Sequence, residues 1–106
     1  MPERYKKLYE LYQDMMDRRV FRRGVPEAQW VADIYDDLEA TGKLGYTIKE
    51  KRRLHTRLWE SAGKPSLNQP ENKIMMQRKC KVYLMSYMLS DMAKRNVDLK
   101  SFLEIY

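Results

Sequence analysis

The chain has 106 residues, of which 34% are charged and 43% hydrophobic, and its net charge is +6 at pH 7. This length predicts one domain, and these proportions are typical of a folded globular protein and exclude wholesale disorder. The single cysteine, Cys80, excludes an internal disulfide, and the charged start of the chain predicts no secretory signal. No uncharged stretch approaches the roughly 20 residues of a membrane span. We therefore expect an intracellular protein, in the cytoplasm, nucleoid or nucleus, with no membrane association.

Apolar residues recur every three or four positions along the chain, which is the period of an amphipathic helix. Helix one is predicted over residues 3–22, with its stop at Gly24, because glycine readily takes the left-handed conformation that ends a helix. Helix two is predicted over 26–41, with Pro26 in its first turn and Gly42 after its end. Its outer face is acidic. The acidic side chains either pair with cations inside the fold or form a surface of opposite sign to the rest of the protein.

Helix three is predicted over residues 48–62 and begins at a T-x-x-E capping box. In this box the Thr47 oxygen accepts from the third amide of the helix, and Glu50 reaches back to a free amide. The spacing of Ile48, Leu54 and Leu58 predicts that these three side chains face the core. The segment between helices two and three is short, so together they are predicted to form a helix–turn–helix unit.

A loop is predicted over 63–70, because this stretch contains two prolines beside several turn-forming residues. Helix four is predicted over 71–95. Its second half, Val82–Ala93, is apolar on nearly every face, which predicts that the other helices enclose it. A short helix over 98–105, capped by Asp98, completes the chain. The predicted fold is all-α: a single small helical bundle with four main helices plus a short C-terminal helix.

Helix three carries the residues that best fit a binding function. If this helix lay in a major groove of DNA, its arginines would contact phosphates and guanines; an ordinary solvated basic helix is the alternative. A second basic cluster ends helix one, where cations also interact favourably with the negative helix end. The predicted nucleic-acid-binding residues are Lys49, Lys51, Arg52, Arg53 and Arg57 of helix three and Arg18, Arg19, Arg22 and Arg23 of helix one. Four cations of helix four would extend this surface into one stripe if the fold placed them on the same side: Lys73, Arg78, Lys79 and Lys81.

No motif in the sequence indicates an enzyme. The chain has no nucleotide-binding loop and no nucleophile elbow, and one histidine with one cysteine cannot supply the four ligands of a structural zinc site. We expect a non-enzymatic protein with no catalytic residues, no cofactor and no metal. The leading hypothesis is a small basic binding protein that contacts nucleic acid or an acidic protein surface in a regulatory or assembly role.

A protein–protein adaptor or inhibitor without nucleic-acid binding is the alternative hypothesis. Its partner surface would combine acidic side chains of helix two with methionines of helix four, because methionine adapts to irregular contacts. The predicted partner-binding residues are Asp36, Asp37, Met75 and Met76. Accessory proteins of viruses and phages are an analogous class of small binding protein.

Overall fold

The computed structural model describes residues 2–21 and 24–104, and within these ranges it contains five α-helices and no strand. The helices are α1 (Glu3–Arg18), α2 (Gln29–Ala40), α3 (Ile48–Ser61), α4 (Pro70–Lys94) and α5 (Leu99–Leu103). The predicted all-α bundle is confirmed. In the described part of the chain, none of these helices combines the length and apolar character that crossing a bilayer requires.

The end of α1 differs from the prediction, because the helix ends at Arg18 and not at residue 22. Arg19 takes the left-handed conformation itself, with φ of 55°, and its amide donates to the carbonyl of Met16. The Val20 amide donates to the carbonyl of Met15. This pair of hydrogen bonds closes the helix without a glycine, so Gly24 is not its stop.

The start of α2 also differs from the prediction. Pro26 lies before the helix, which begins at Gln29, and not in its first turn. Val25 is buried, and its amide donates to Ser86 Oγ of α4 at 3.1 Å. Since this contact anchors the connection on a distant helix, the periodicity of the local sequence does not reveal it.

The predicted cap at the start of α3 is present, with one altered hydrogen bond. Thr47 Oγ1 accepts from the Glu50 amide at 3.1 Å, while the Glu50 carboxylate accepts from the Thr47 hydroxyl and not from a backbone amide. Leu54 and Leu58 are buried as predicted. Ile48 is 65% exposed, so its predicted inward orientation is wrong. It lies about 120° around the helix axis from Leu54, outside the buried stripe.

Helix α4 is the central element, because α1, α2 and α3 all pack against it. Leu84 and Leu89 are buried, as expected for its second half. The prediction that this half is enclosed on every side is wrong, since Tyr83 and Tyr87 are 40% and 46% exposed. The hydroxyl of Tyr46, just before α3, donates to the carbonyl of Leu84 at 3.1 Å. The start of α3 therefore lies level with the middle of α4.

The connection between α3 and α4 and the start of α5 follow the sequence signals. Gly63 has a φ of 86°, and the indole of Trp59 donates to the Pro65 carbonyl at 2.8 Å, which holds the predicted loop against the end of α3. Asp98 caps α5 by accepting from the amides of Lys100 and Ser101.

Replacing the buried Leu89 by alanine should destabilise the protein by roughly 2–5 kcal/mol, because the side chain is enclosed and the cavity collapses incompletely. Gln77→Ala, an exposed change on the same helix, should alter stability by about 0.5 kcal/mol or less. Urea unfolding monitored by circular dichroism measures both. Equal effects of the two changes would contradict a buried core at Leu89.

Thr47→Ala should lower the free energy of unfolding by about 1 kcal/mol, because it leaves the Glu50 amide without its acceptor. Thr47→Ser keeps the hydroxyl and serves as the matched control, which should lose much less. A thermal melt of each variant tests this, and an unchanged melting temperature in Thr47→Ala would mean that the cap does not stabilise α3.

Candidate nucleic-acid interface

Four of the five acidic side chains on and next to α2 form ion pairs with cations from the three other long helices, and the fifth, Asp33, accepts a hydrogen bond from Gln29. The pairs are Arg4–Asp37 (2.7 Å), Lys81–Asp36 (2.8 Å), Lys51–Glu39 (3.5 Å) and Lys79–Glu27 (3.8 Å). All are partly exposed, so each contributes little stability by itself. Of the two arrangements that the charge pattern allowed, the structure has the first, in which opposite charges meet within the fold.

Asp37 is the most strongly held of these carboxylates. It accepts hydrogen bonds from the Tyr5 hydroxyl at 2.6 Å and from the Arg4 guanidinium at 2.7 Å. These bonds, first that of Tyr5 and then that of Arg4, hold the pKa of Asp37 below its usual range. Asp36 pairs with Lys81. The two aspartates predicted to contact a protein partner therefore already have partners inside the molecule.

The methionine part of the predicted partner surface is not formed as expected. Met76 is fully buried, so its predicted exposure to a partner is wrong. Met75 is half-buried and packs against the core. Since α3 packs on α4, only part of this half of α4 faces solvent. The exposed apolar side chain here is the neighbouring Ile74, at 58%.

Four of the five predicted cations of α3 extend into solvent and have no ion pair in the described part of the chain. They are Lys49, Arg52, Arg53 and Arg57. Lys49 and Arg52 lie on the side of the helix opposite its buried leucines, and Arg53 and Arg57 continue from Lys49 toward one flank of the helix. Lys49, Arg53 and Arg57 follow one another at intervals of four, and like charges at this spacing destabilise a helix by roughly 0.2–0.5 kcal/mol per pair. An anion bound along this row would relieve that repulsion.

The fifth predicted cation, Lys51, is not part of this face. Its ammonium lies 3.5 Å from the Glu39 carboxylate of α2. A hydrogen bond from Tyr35 first, and the charge of Lys51 as well, lower the pKa of Glu39. Lys51 therefore connects α3 to α2. The sequence alone does not show this structural role, because Lys51 stands in a run of basic residues whose other members face solvent.

The basic cluster of helix one is not joined to the α3 face by helix packing. Arg18 pairs with Asp14 at 2.8 Å, and Arg19 is exposed at the end of α1, while Arg22 and Arg23 lie outside the described residues. Helix α1 packs closely against α2, α4 and α5, and not closely against α3. Lys79 and Lys81 of α4 are engaged with α2. Within 2–21 and 24–104, Arg18, Lys79 and Lys81 are therefore engaged in ion pairs and are not free members of the predicted electropositive stripe.

The predicted helix–turn–helix unit is not present either. Residues 41–47 connect α2 to α3, a longer connection than the three- or four-residue turn of that motif. The two helices do not pack closely on each other, because each packs on α4. Helix α3 thus presents its cations on an outer face of the bundle, and α2 does not support it as a groove-reading helix.

A groove that the sequence did not reveal runs along α4. It has a volume of about 690 Å³ and spans positions 79 to 94, a length of about 22 Å at 1.5 Å per residue. Its floor is a row on one face of α4, formed by Tyr83, Ser86, Tyr87, Ser90 and Lys94. The segment 24–27 forms its wall. Two tyrosines and two serines recurring at helical spacing within an apolar half are the sequence signal that could have indicated it.

The described ranges show neither a candidate metal site nor an activated thiol. No three side chains among His, Cys, Asp and Glu there lie close enough together to hold a metal ion. Cys80 is half-buried, and this burial raises the pKa of its thiol, which favours the unreactive protonated form.

In three comparisons, with protein-family models, with curated proteins and with solved structures, nothing matches this chain. The function is therefore inferred from the chemistry of the surface.

Asp37→Asn should destabilise the protein at neutral pH and progressively less in acid. Because the folded protein lowers the pKa of Asp37, its stabilising effect is present above the ordinary value of about 3.9 and is lost as the pH falls through the lower folded value. Urea unfolding of both proteins from about pH 7 to about pH 3 measures the difference.

Asp17→Asn is the matched control, since Asp17 is exposed and has no partner in the described ranges. It should change stability little at any pH. A difference between Asp37→Asn and the unmodified protein that stays constant down to about pH 3 would contradict the role of the charged carboxylate.

Proposed function

We propose that this protein binds nucleic acid through the solvent-exposed cationic face of α3, in a non-enzymatic regulatory or assembly role. The observation that supports the proposal is a contrast in pairing. Cations of α1, α3 and α4 that face α2 pair with its carboxylates, whereas four cations on one face of α3 have no ion pair in the described ranges.

The ion pairs of α2 weaken the main electrostatic objection to this function. An acidic helix near the phosphates would repel them, but three of its four carboxylates, those of Asp36, Asp37 and Glu39, are matched by nearby cations. The net charge of the chain is +6, and the exposed cations of α3 are among the side chains that can attract a polyanion.

Contacts of this kind would be made with phosphates more than with bases. Arginine binds phosphate oxygens through two parallel hydrogen bonds, and three of the four cations are arginines. Since α3 is not supported as a groove-reading helix, we expect binding with little dependence on base sequence and a strong dependence on salt. An acidic protein surface is the other partner that these cations could attract, and the titration below separates the two.

Exchanging both Arg52 and Arg53 for glutamate should weaken nucleic-acid binding by about tenfold or more, because each change removes a phosphate contact and adds repulsion. Fluorescence anisotropy with labelled oligonucleotides across a salt series measures this. For duplex DNA, each lost phosphate contact should lower the slope of log affinity against log salt by about 0.9.

Arg53→Glu and Lys6→Glu form a matched pair, because each reverses one exposed cation without an ion-pair partner in the described ranges. Lys6 lies on α1, which does not pack closely on α3. Lys6→Glu should therefore weaken binding much less than Arg53→Glu. Equal losses would indicate attraction by net charge alone, and no binding of any nucleic acid at low salt would refute the proposed function.

A further inference from the structure

Two tyrosines on the floor of the α4 groove have exposed aromatic rings. The rings of Tyr83 and Tyr87 meet edge to face, with centroids 6.3 Å apart and planes at 76°. In an edge-to-face pair, one ring contacts the other only through its edge, so both of its faces stay free of the partner ring. The other ring uses one face for the contact and has its second face free. Exposed faces of this kind stack readily on planar groups, and every nucleobase is such a group. Ser86 and Ser90 on the same row add hydroxyls.

The charges that line the groove favour an anionic occupant. Its two carboxylates are already neutralised, Glu27 by Lys79 at 3.8 Å and Asp91 by Arg95 at 3.1 Å. Lys94, at the far end of the groove, is exposed and has no ion pair in the described ranges. The charge left uncompensated in the groove is therefore positive, and it lies beyond the aromatic pair.

The start of α3 contacts α4 next to the aromatic pair. The hydroxyl of Tyr46, just before α3, donates to the carbonyl of Leu84, the residue that follows Tyr83. The cationic face of α3 begins three residues after Tyr46, at Lys49. The phosphates of a chain whose bases stack on the tyrosines would therefore have Lys94 and the first cations of α3 as their candidate contacts.

We propose that the nucleic acid bound by this protein is single-stranded and that its unpaired bases stack on Tyr83 and Tyr87. This inference rests on the proposed function and specifies its ligand. A duplex keeps its bases stacked inside, so it has phosphates for α3 but no free base for the groove. Stacking of this kind tolerates any base, in agreement with binding that does not depend on sequence.

The test compares one single strand with one duplex on the same variants. The probes are a labelled oligothymidylate of about 12 nucleotides and a hairpin duplex with the same number of phosphates. The variants are Tyr83→Ala/Tyr87→Ala and, as the matched control, Tyr83→Phe/Tyr87→Phe, which keeps both rings. The alanine pair should weaken oligothymidylate binding by roughly tenfold for each base that no longer has a tyrosine ring to stack on. It should leave hairpin binding within about twofold of that of the unmodified protein. The phenylalanine pair should bind both probes as the unmodified protein does.

The outcomes separate this inference from the proposed function. Equal losses for hairpin and single strand, or no loss for either, would overturn the stacking of unpaired bases on the tyrosines, while binding of both probes by the unmodified protein would still support the proposed function. If the unmodified protein bound neither probe at low salt, or bound polyglutamate as tightly as oligothymidylate, the proposed function would fail together with it.

A second measurement uses the unmodified protein and so does not depend on the folding of a variant. Oligothymidylate with one 5-iodouracil is irradiated in the complex, and the crosslinked peptide is located by mass spectrometry. The crosslink should lie on Tyr83 or Tyr87. Crosslinks confined to aromatic residues outside the groove, such as Trp30 or Trp59, would overturn the inference.

Discussion

The pairing of the α2 carboxylates with cations from α1, α3 and α4 is the interaction on which the surface of this protein depends. Four carboxylates within a short stretch of chain would repel one another and any polyanion nearby. Each instead has a cation from another part of the sequence within 4 Å, at distances from 2.7 to 3.8 Å. These partly exposed pairs add little to stability one by one. Their larger effect is to determine which cations are used inside the fold and which remain available on α3.

The second surface is the groove along α4, the longest helix of the bundle. Helix α4 has 25 residues and α3 has 14, and α3 begins level with the middle of its neighbour. The groove extends from Lys79 to Lys94, past the point where α3 begins, and the segment 24–27 borders it as a wall. The base-stacking proposal concerns this groove, and the phosphate-binding proposal concerns the outer face of α3, which follows the hydrogen bond from Tyr46 to Leu84 in the chain.

The features that could be predicted from the sequence are those governed by neighbours within one or two helical turns. Periodicity located every helix, and local chemistry located several ends: Gly42, with its left-handed φ of 71°, after α2, the Thr47 cap of α3, and the Asp98 cap of α5. The buried leucines of α3 and α4 followed from the same spacing. These predictions succeeded because a cap or an apolar stripe depends on residues three or four positions apart, whatever the rest of the chain does.

The sequence by itself thus determined the all-α class, the four long helices and the presence of an unusually basic third helix. The tertiary structure alone decided which charges are paired, that Met76 is buried while Ile48 is exposed, and that α4 is open along its tyrosines. In the sequence, Lys51 and Arg52 are two neighbouring basic residues, but in the structure Lys51 pairs with α2 and Arg52 faces solvent. That distinction depends on where distant helices pack, because burial and ion pairing are properties of contacts between segments that are far apart in the chain.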